Sequence, residues 1–211
     1  ELDRFVRTVH AWDIATGETL ALSKDECGFG YRDSVFKGDL RDQVVITAVD
    51  LRLSRQASLE LSYPALQQEL EQQRVNDPQP EDVYRAVVDV RSRRLPDPAV
   101  EPNAGSFFKN PVVALPQAEI LRRAHPELPT YQQVDGRLKI PAAWLIDQAG
   151  WKGQRRGGVG VHPGHALVLV NYASESGAEL LELADEIAAS VQQRFGIALE
   201  IEPRVYGRRD A

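Results

Sequence analysis

The stretch 166–195 most constrains the fold of this chain. An apolar run at residues 166–171 leads into Gly177–Phe195, where Leu180, Leu183, Ile187 and Val191 recur at helical spacing. An apolar strand and a helix with one apolar stripe each need a covering layer. Upstream, residues 4–14 are rich in Val, Phe and Trp and read as a strand, and Ala15-Thr16-Gly17 turns into a second short strand at Leu20-Ala21-Leu22, a hairpin or meander. In residues 44–53, Val49, Leu51 and Leu53 alternate with Asp50 and Arg52, so a strand with one packed face is expected. Pro64 opens a helix to about Gln73. A second starts at Pro80, with Glu81 and Asp82 in its first turn and Arg91, Arg93 and Arg94 in its last, the charge order that suits a helix dipole. Its apolar positions Val83, Val87 and Val90 are expected on one face.

Leu95-Pro96-Asp97-Pro98 ends that helix, and the irregular linker to Gly105 marks a domain boundary. Short helices are expected near residues 117–124 and 142–148, a glycine-rich passage at 157–164, and a closing strand at 198–206. The pattern predicts a mixed α/β or α+β class.

Composition narrows the partners. With 25 basic against 31 acidic residues the formal charge is −6, which disfavours nucleic acid or an anionic membrane as the main partner. No apolar run approaches the ~18–20 residues that span a bilayer. A single cysteine, Cys27, allows neither an intramolecular disulfide framework nor a Cys-rich zinc site, and it fits a reducing compartment. The chain has no methionine and opens Glu1-Leu2-Asp3, as expected of a protein that is processed, cleaved or part of something longer. Those first residues lack the basic and apolar regions of a signal peptide.

Several segments carry polar groups suited to chemistry. In residues 103–111 (Asn-Ala-Gly-Ser-Phe-Phe-Lys-Asn-Pro), Gly105 allows close backbone approach to a ligand and Ser106 can donate a proton; a Gly-Ser turn packed by two phenylalanines is the alternative. Gly28-Phe29-Gly30-Tyr31-Arg32-Asp33-Ser34 either holds Arg32 near the core as a bidentate partner for a carboxylate or phosphate, or is a loop with a surface Arg32–Asp33 pair. Gly157-Gly158-Val159-Gly160 lacks the spacing of a nucleotide loop and is expected to let a strand pass close to another element. His162 and His165 have no acidic residue within four positions, so a structural or supporting role is preferred to metal binding. Glu200 and Glu202 project to one side of the closing strand, toward a cleft or toward solvent.

Taken together these segments resemble the MurB family of flavoenzymes, UDP-N-acetylenolpyruvoylglucosamine reductases. The residues that carry the resemblance are Glu26-Cys27-Gly28-Phe29-Gly30-Tyr31-Arg32-Asp33-Ser34, Leu95-Pro96-Asp97-Pro98, Gly105-Ser106-Phe107-Phe108-Lys109-Asn110-Pro111, Ala143-Trp144-Leu145-Ile146-Asp147-Gln148 with Lys152-Gly153, His162 with Ala166-Leu167-Val168-Leu169-Val170-Asn171, and Leu199-Glu200-Ile201-Glu202. The resemblance implies an α+β fold: part of a vanillyl-alcohol-oxidase-type flavin-binding domain, residues 1–96 completed by 198–211, plus an α/β substrate domain at 97–197. It implies reduction of UDP-N-acetylglucosamine enolpyruvate by NADPH through FAD in peptidoglycan synthesis, in the bacterial cytoplasm. Arg32 and Glu202 would polarise the substrate carboxylate and Ser106 would protonate the α-carbon. Tyr63, Arg94, Lys109, Asn110 and His165 would bind substrate, with Arg94 where relatives can have Lys and His165 where some carry Gln. No metal, nucleic acid or membrane partner is implied. The flavin pyrophosphate loop lies upstream of this sequence in the family, so the missing N-terminal segment is an expected partner; a non-catalytic UDP-sugar-binding fragment without FAD is the alternative.

Overall fold

A computed structural model describes residues 2–56 and 58–207; residues 208–211, grouped above with the first domain, lie outside the described residues. The chain forms two compact units, Glu1–Glu60 and Leu61–Ala211. Residues 61–96 and 198–207 make their contacts within the second unit. All strand pairings between the named strands are antiparallel, and with the helices they give an α+β class.

In the first unit β1 (Val6–Asp13) is central, with β2 (Thr19–Ser23) on one side and β3 (Val44–Leu51) on the other. The β1–β2 turn is built by Asp13, whose Oδ1 accepts from the backbone N–H of Ala15 and Thr16 at 2.9 and 2.8 Å, with Gly17 at φ +74°. This local carboxylate-to-backbone bonding is why Asp initiates turns. The hairpin is as expected, but β3 returns to β1 rather than to β2, so the sheet is not a meander. The expected packed face of β3 is not observed: Val49 and Leu51 are each 44% exposed, and Leu53 lies beyond the strand's end. Alternation sets which side chains share a face; a covering layer decides whether that face is buried.

In the second unit α1 (Pro64–Gln72) and α2 (Pro80–Arg94) form a helical hairpin. Gln79 and Asp82 make a reciprocal capping box at the start of α2. Ala86, not Val87, is the fully buried residue of α2, and Val87 is 40% exposed. The inward stripe is Val83, Ala86 and Val90, because a small side chain at the crossing lets α1 approach closely.

Strands β4 (Asn103–Ser106), β8 (Arg155–Arg156), β9 (Val159–Val161) and β10 (Val168–Asn171) form a sheet ordered β4-β10-β9-β8. Helix α5 (Gly177–Phe195) packs on β9 and β10 and touches α4 (Ala142–Gln148). Its inward Leu183, Ala184, Ile187 and Val191 are buried with Val159, Val161 and Leu169 in the main core. Ser176 Oγ accepts from the Ala178 N–H at its start, and Gly196 ends it in the left-handed conformation. A second small sheet, β5 (Val112–Val113), β7 (Leu138–Lys139) and β6 (Tyr131–Gln132), lies with α3 (Leu115–Ala124). The closing strand expected at 198–206 reduces to one bridge, Ile201 to Phe108. Pro203 has no N–H to continue a ladder there.

The glycine-rich passage supplies the β8–β9 turn and β9, and Gly158 and Gly160 in it work by close packing. A Cβ on Gly158 would stand 2.6 Å from the Ser174 N and 2.9 Å from the Ala173 carbonyl carbon, both backbone atoms that cannot rotate away. Gly158→Ala is therefore expected to destabilise the second unit by about 1–3 kcal/mol. Gly177→Ala, where nothing lies within 4 Å, should be neutral or slightly stabilising. Equal denaturation midpoints for the two variants would contradict this packing role.

Candidate active site

The site is organised by a bulge and a backbone junction. Ser106 pairs with Val168 and Asn103 with Val170, so Ala104 and Gly105 together oppose Leu169. Gly105 takes φ +69°, which a residue with a Cβ adopts only under strain. Asn103 holds the bulge from both sides: its Oδ1 accepts from the Gly105 N–H at 2.9 Å and its Nδ2 donates to the Glu101 carbonyl at 2.7 Å. Direct pairing puts Ser106 on the Val168 face of the sheet, opposite the face on which Leu169 joins the core under α5.

Phe107 then ties three segments together. Its N–H donates to the Leu167 carbonyl at 2.8 Å, and its carbonyl accepts from the Glu202 N–H at 2.9 Å. The Phe107 and Phe108 rings, edge to face at 5.6 Å, are buried and anchor the junction. Ser106, Glu202 and the turn containing His165 thus meet at one end of the sheet. Glu202 is half-buried, whereas Glu200 is exposed and pairs with Lys109. The Lys109 N–H also donates to the Glu200 carbonyl at 2.9 Å. Lys109 therefore orients the loop. The Ser106 hydroxyl has no hydrogen-bond partner among the described residues.

Asn110 Oδ1 accepts from the Ala142 N–H at 2.8 Å, satisfying one of the first-turn donors of α4. That bond fixes the amide orientation and leaves Nδ2 as a donor.

A second group gathers around His165. Burial, reinforced by the positive fields of His162, Lys152 and Arg94, pushes the His165 imidazole below its ordinary range. Its Nδ1 accepts from the Leu167 N–H at 3.3 Å, which leaves the proton of the neutral ring on Nε2. His162 Nδ1 accepts from the Gly164 N–H at 3.1 Å, and its Nε2 faces Glu101 Oε2 at 3.5 Å. Sequence reasoning missed that acidic partner, which is remote in the chain, and it missed Lys152 as a member of the group. Basic groups whose fields reach one half-buried imidazole make this a candidate anion site, in which Lys152 also pairs with Asp147 at 3.6 Å.

Tyr63 stands just before α1, 59% exposed, and its carbonyl accepts from the Leu66 and Gln67 N–H groups. Arg32 lies in the first unit at φ +55°, exposed rather than held near a core; its carbonyl accepts from Lys37 Nζ at 2.9 Å. Its loop neighbours Phe29 and Tyr31 are also exposed, so they do not enclose it. Burial pushes the Cys27 thiol up, which keeps it protonated and inert as a nucleophile. Among the described residues no cluster of His, Cys, Asp and Glu has the makings of a metal site, and no helix is long and apolar enough to cross a membrane.

Residues 97–206 match the family described as UDP-N-acetylenolpyruvoylglucosamine reductase, C-terminal domain. Proteins named UDP-N-acetylenolpyruvoylglucosamine reductase from Xylella fastidiosa (strain 9a5c) and Chromobacterium violaceum are 50% and 49% identical, over 98% and 96% of this chain. The matches cover 59% and 60% of those proteins, so the chain spans about three-fifths of their length. The crystal structure of UDP-N-acetylenolpyruvylglucosamine reductase (MurB) from Thermus caldophilus is similar in fold, with a TM-score of 0.57 at 23% identity, over 97% of this chain and 54% of that one.

The lowered His165 titration gives a direct test. Its NMR midpoint is expected below the ~6.5 of an unperturbed imidazole, so the ring is neutral at pH 7. A bound diphosphate favours the imidazolium, so adding uridine diphosphate should raise the midpoint, and affinity should rise as pH falls through it. A midpoint at the ordinary value that uridine diphosphate leaves unmoved would refute the anion site.

Proposed function

This chain belongs to the UDP-N-acetylenolpyruvoylglucosamine reductase family, and from that premise we propose that it supplies the substrate-binding and proton-donating part of the whole enzyme. That enzyme reduces UDP-N-acetylglucosamine enolpyruvate to UDP-N-acetylmuramate with NADPH through FAD, in the bacterial cytoplasm, for peptidoglycan synthesis. The observation that carries the proposal is Ser106: a hydroxyl without a hydrogen-bond partner among the described residues, set by a glycine bulge and adjoining the Glu202 segment.

Reduction adds a hydride to the β-carbon of the enolpyruvyl group and leaves negative charge conjugated with its carboxylate. A charged or hydrogen-bonding group fixed where that charge develops lowers the barrier. Glu202 is assigned to the substrate carboxylate on the sequence resemblance, and Ser106 delivers the proton to the α-carbon, to be reprotonated from water or a neighbour. Arg32 is assigned to the same carboxylate on the sequence resemblance alone. Arg94, Lys152 and His165 hold the diphosphate, Asn110 donates through Nδ2, Lys109 orients the loop, and Tyr63 closes over the ligand.

The described residues do not fit the flavin's own pyrophosphate. No described helix joins a glycine-rich loop to an open N-terminus: α1, α2 and α3 have proline in their first positions, while α4 is bonded by Asn110 and α5 by Ser176. We therefore assign the flavin pyrophosphate to a part of the full-length protein outside this chain. For the chain by itself the same observation favours UDP-sugar binding without flavin. Flavin absorbance at about one per purified chain would refute that second reading.

In the full-length protein, Ser106→Ala should lower reduction of the enolpyruvyl substrate by at least roughly a hundred-fold, while flavin reduction by NADPH persists. Stopped-flow measurement of the two half-reactions checks this. Equal loss of both would remove Ser106 from the proton-donor role.

A further inference from the structure

Glu69, on α1, is the only charged residue fully buried among the described residues. A carboxylate withdrawn from water needs partners for its charge and both its oxygens. Here Oε2 accepts from the Arg93 guanidinium of α2, and Oε1 accepts from Gln73 Nε2 at 2.8 Å. The same Gln73 nitrogen reaches Asp89 Oδ2 at 3.1 Å.

These bonds form a ladder that sets register. Gln73, at the end of α1, meets Asp89; Glu69, one turn back, meets Arg93, one turn on. The helices are therefore antiparallel, and the start of α1 lies beside the end of α2. Tyr63 immediately precedes α1 and Arg94 is the last residue of α2, so both belong to that end of the hairpin. The apolar contact between the helices is small, with Leu66, Leu70 and Ala86 its fully buried members. Apolar contact holds the helices together but is non-directional, so it does not fix how one slides along the other. The charged pair is directional and does. Arg94 also lines the groove beside the pair, with Ala65, Gln68, Gln72 and Val90.

We infer that Glu69 is a positioning residue for diphosphate recognition: through Arg93 and Gln73 it fixes α1 against α2 and so presents Tyr63 and Arg94 together to the ligand. This rests on the reading of Arg94 as a diphosphate-binding residue. Glu69→Gln is the informative change. Both partners of Glu69 are donors, so a glutamine amide must turn its own donor toward one of them in either orientation.

In the full-length reductase, Glu69→Gln is expected to raise KM for UDP-N-acetylglucosamine enolpyruvate roughly ten-fold with kcat within about two-fold. The double variant Glu69→Gln/Arg93→Gln, which leaves no buried charge unpaired, keeps the test open if the single variant fails to fold. It should raise KM to the same extent, because the two residues act as one contact. A lowered melting temperature with unchanged KM in whichever variant folds would make the pair merely structural and overturn the inference. Arg94→Ala separates the two claims. If it raises KM while the Glu69 variants do not, the positioning role falls alone; if it leaves KM unchanged, the diphosphate reading of Arg94 falls with it.

Discussion

The second unit depends on what happens at Phe107. One peptide N–H bonds to the end of the 162–167 turn and the same residue's carbonyl bonds to the segment carrying Glu202. Segments far apart in the chain are thereby held at hydrogen-bond distance from one residue. The two adjacent rings supply the apolar energy, about 2–3 kcal/mol each for burying a phenyl group. Ser106 is therefore positioned by its neighbours' backbone, and its hydroxyl has no partner among the described residues.

Electrostatics at the sheet end is arranged by unequal burial. Glu200 stays in solvent and takes Lys109 as a partner, while Glu202, two residues on, is half-buried. His162 has Glu101 opposite one ring nitrogen, whereas His165, half-buried among positive fields, is kept neutral. Two histidines three apart therefore face different neighbours, brought in by the segment before β4, by α2 and by the loop after α4. The basic groups whose fields reach His165 thus come from three separate parts of the chain.

The elements that were legible in the sequence are those whose signals are local. Helix α5 has its serine cap, its stripe and its terminal glycine all within its own length, and α2 has proline, its capping acid and its terminal arginines. The glycine passage was legible as a place of close approach, which Gly158 fulfils against Ala173 and Ser174. What was not legible depends on a partner. Val87 and Val90 look equivalent in α2 until α1 chooses Ala86 as the crossing point. The apolar face of β3 has the right alternation and no cover in its own unit. The closing strand has alternating residues but only one bridge, and β5, β6 and β7 are too short to show any period. For the site, residue types in 103–111 suggested a proton donor, but the pairing of Glu101 with His162 and the approach of Lys152 to His165 leave no sequence signal.

Most polar groups around the site obey local rules, and the exceptions coincide. Asn103 satisfies the bulge, Asn110 satisfies α4 and Ser176 satisfies α5, each bonding backbone groups that would otherwise be open. Ser106 stands among these with its hydroxyl unspent, after a glycine held in a conformation that other residues avoid. A packing requirement alone would be met more simply by an apolar residue opposite Val168, since the flanking rings already fill the core. Departures from local consistency cost stability, and they persist where the departing group has another task. The bulge reverses the side on which the side chain after Gly105 would otherwise fall, and in doing so sets the Ser106 hydroxyl on the Val168 face of the sheet.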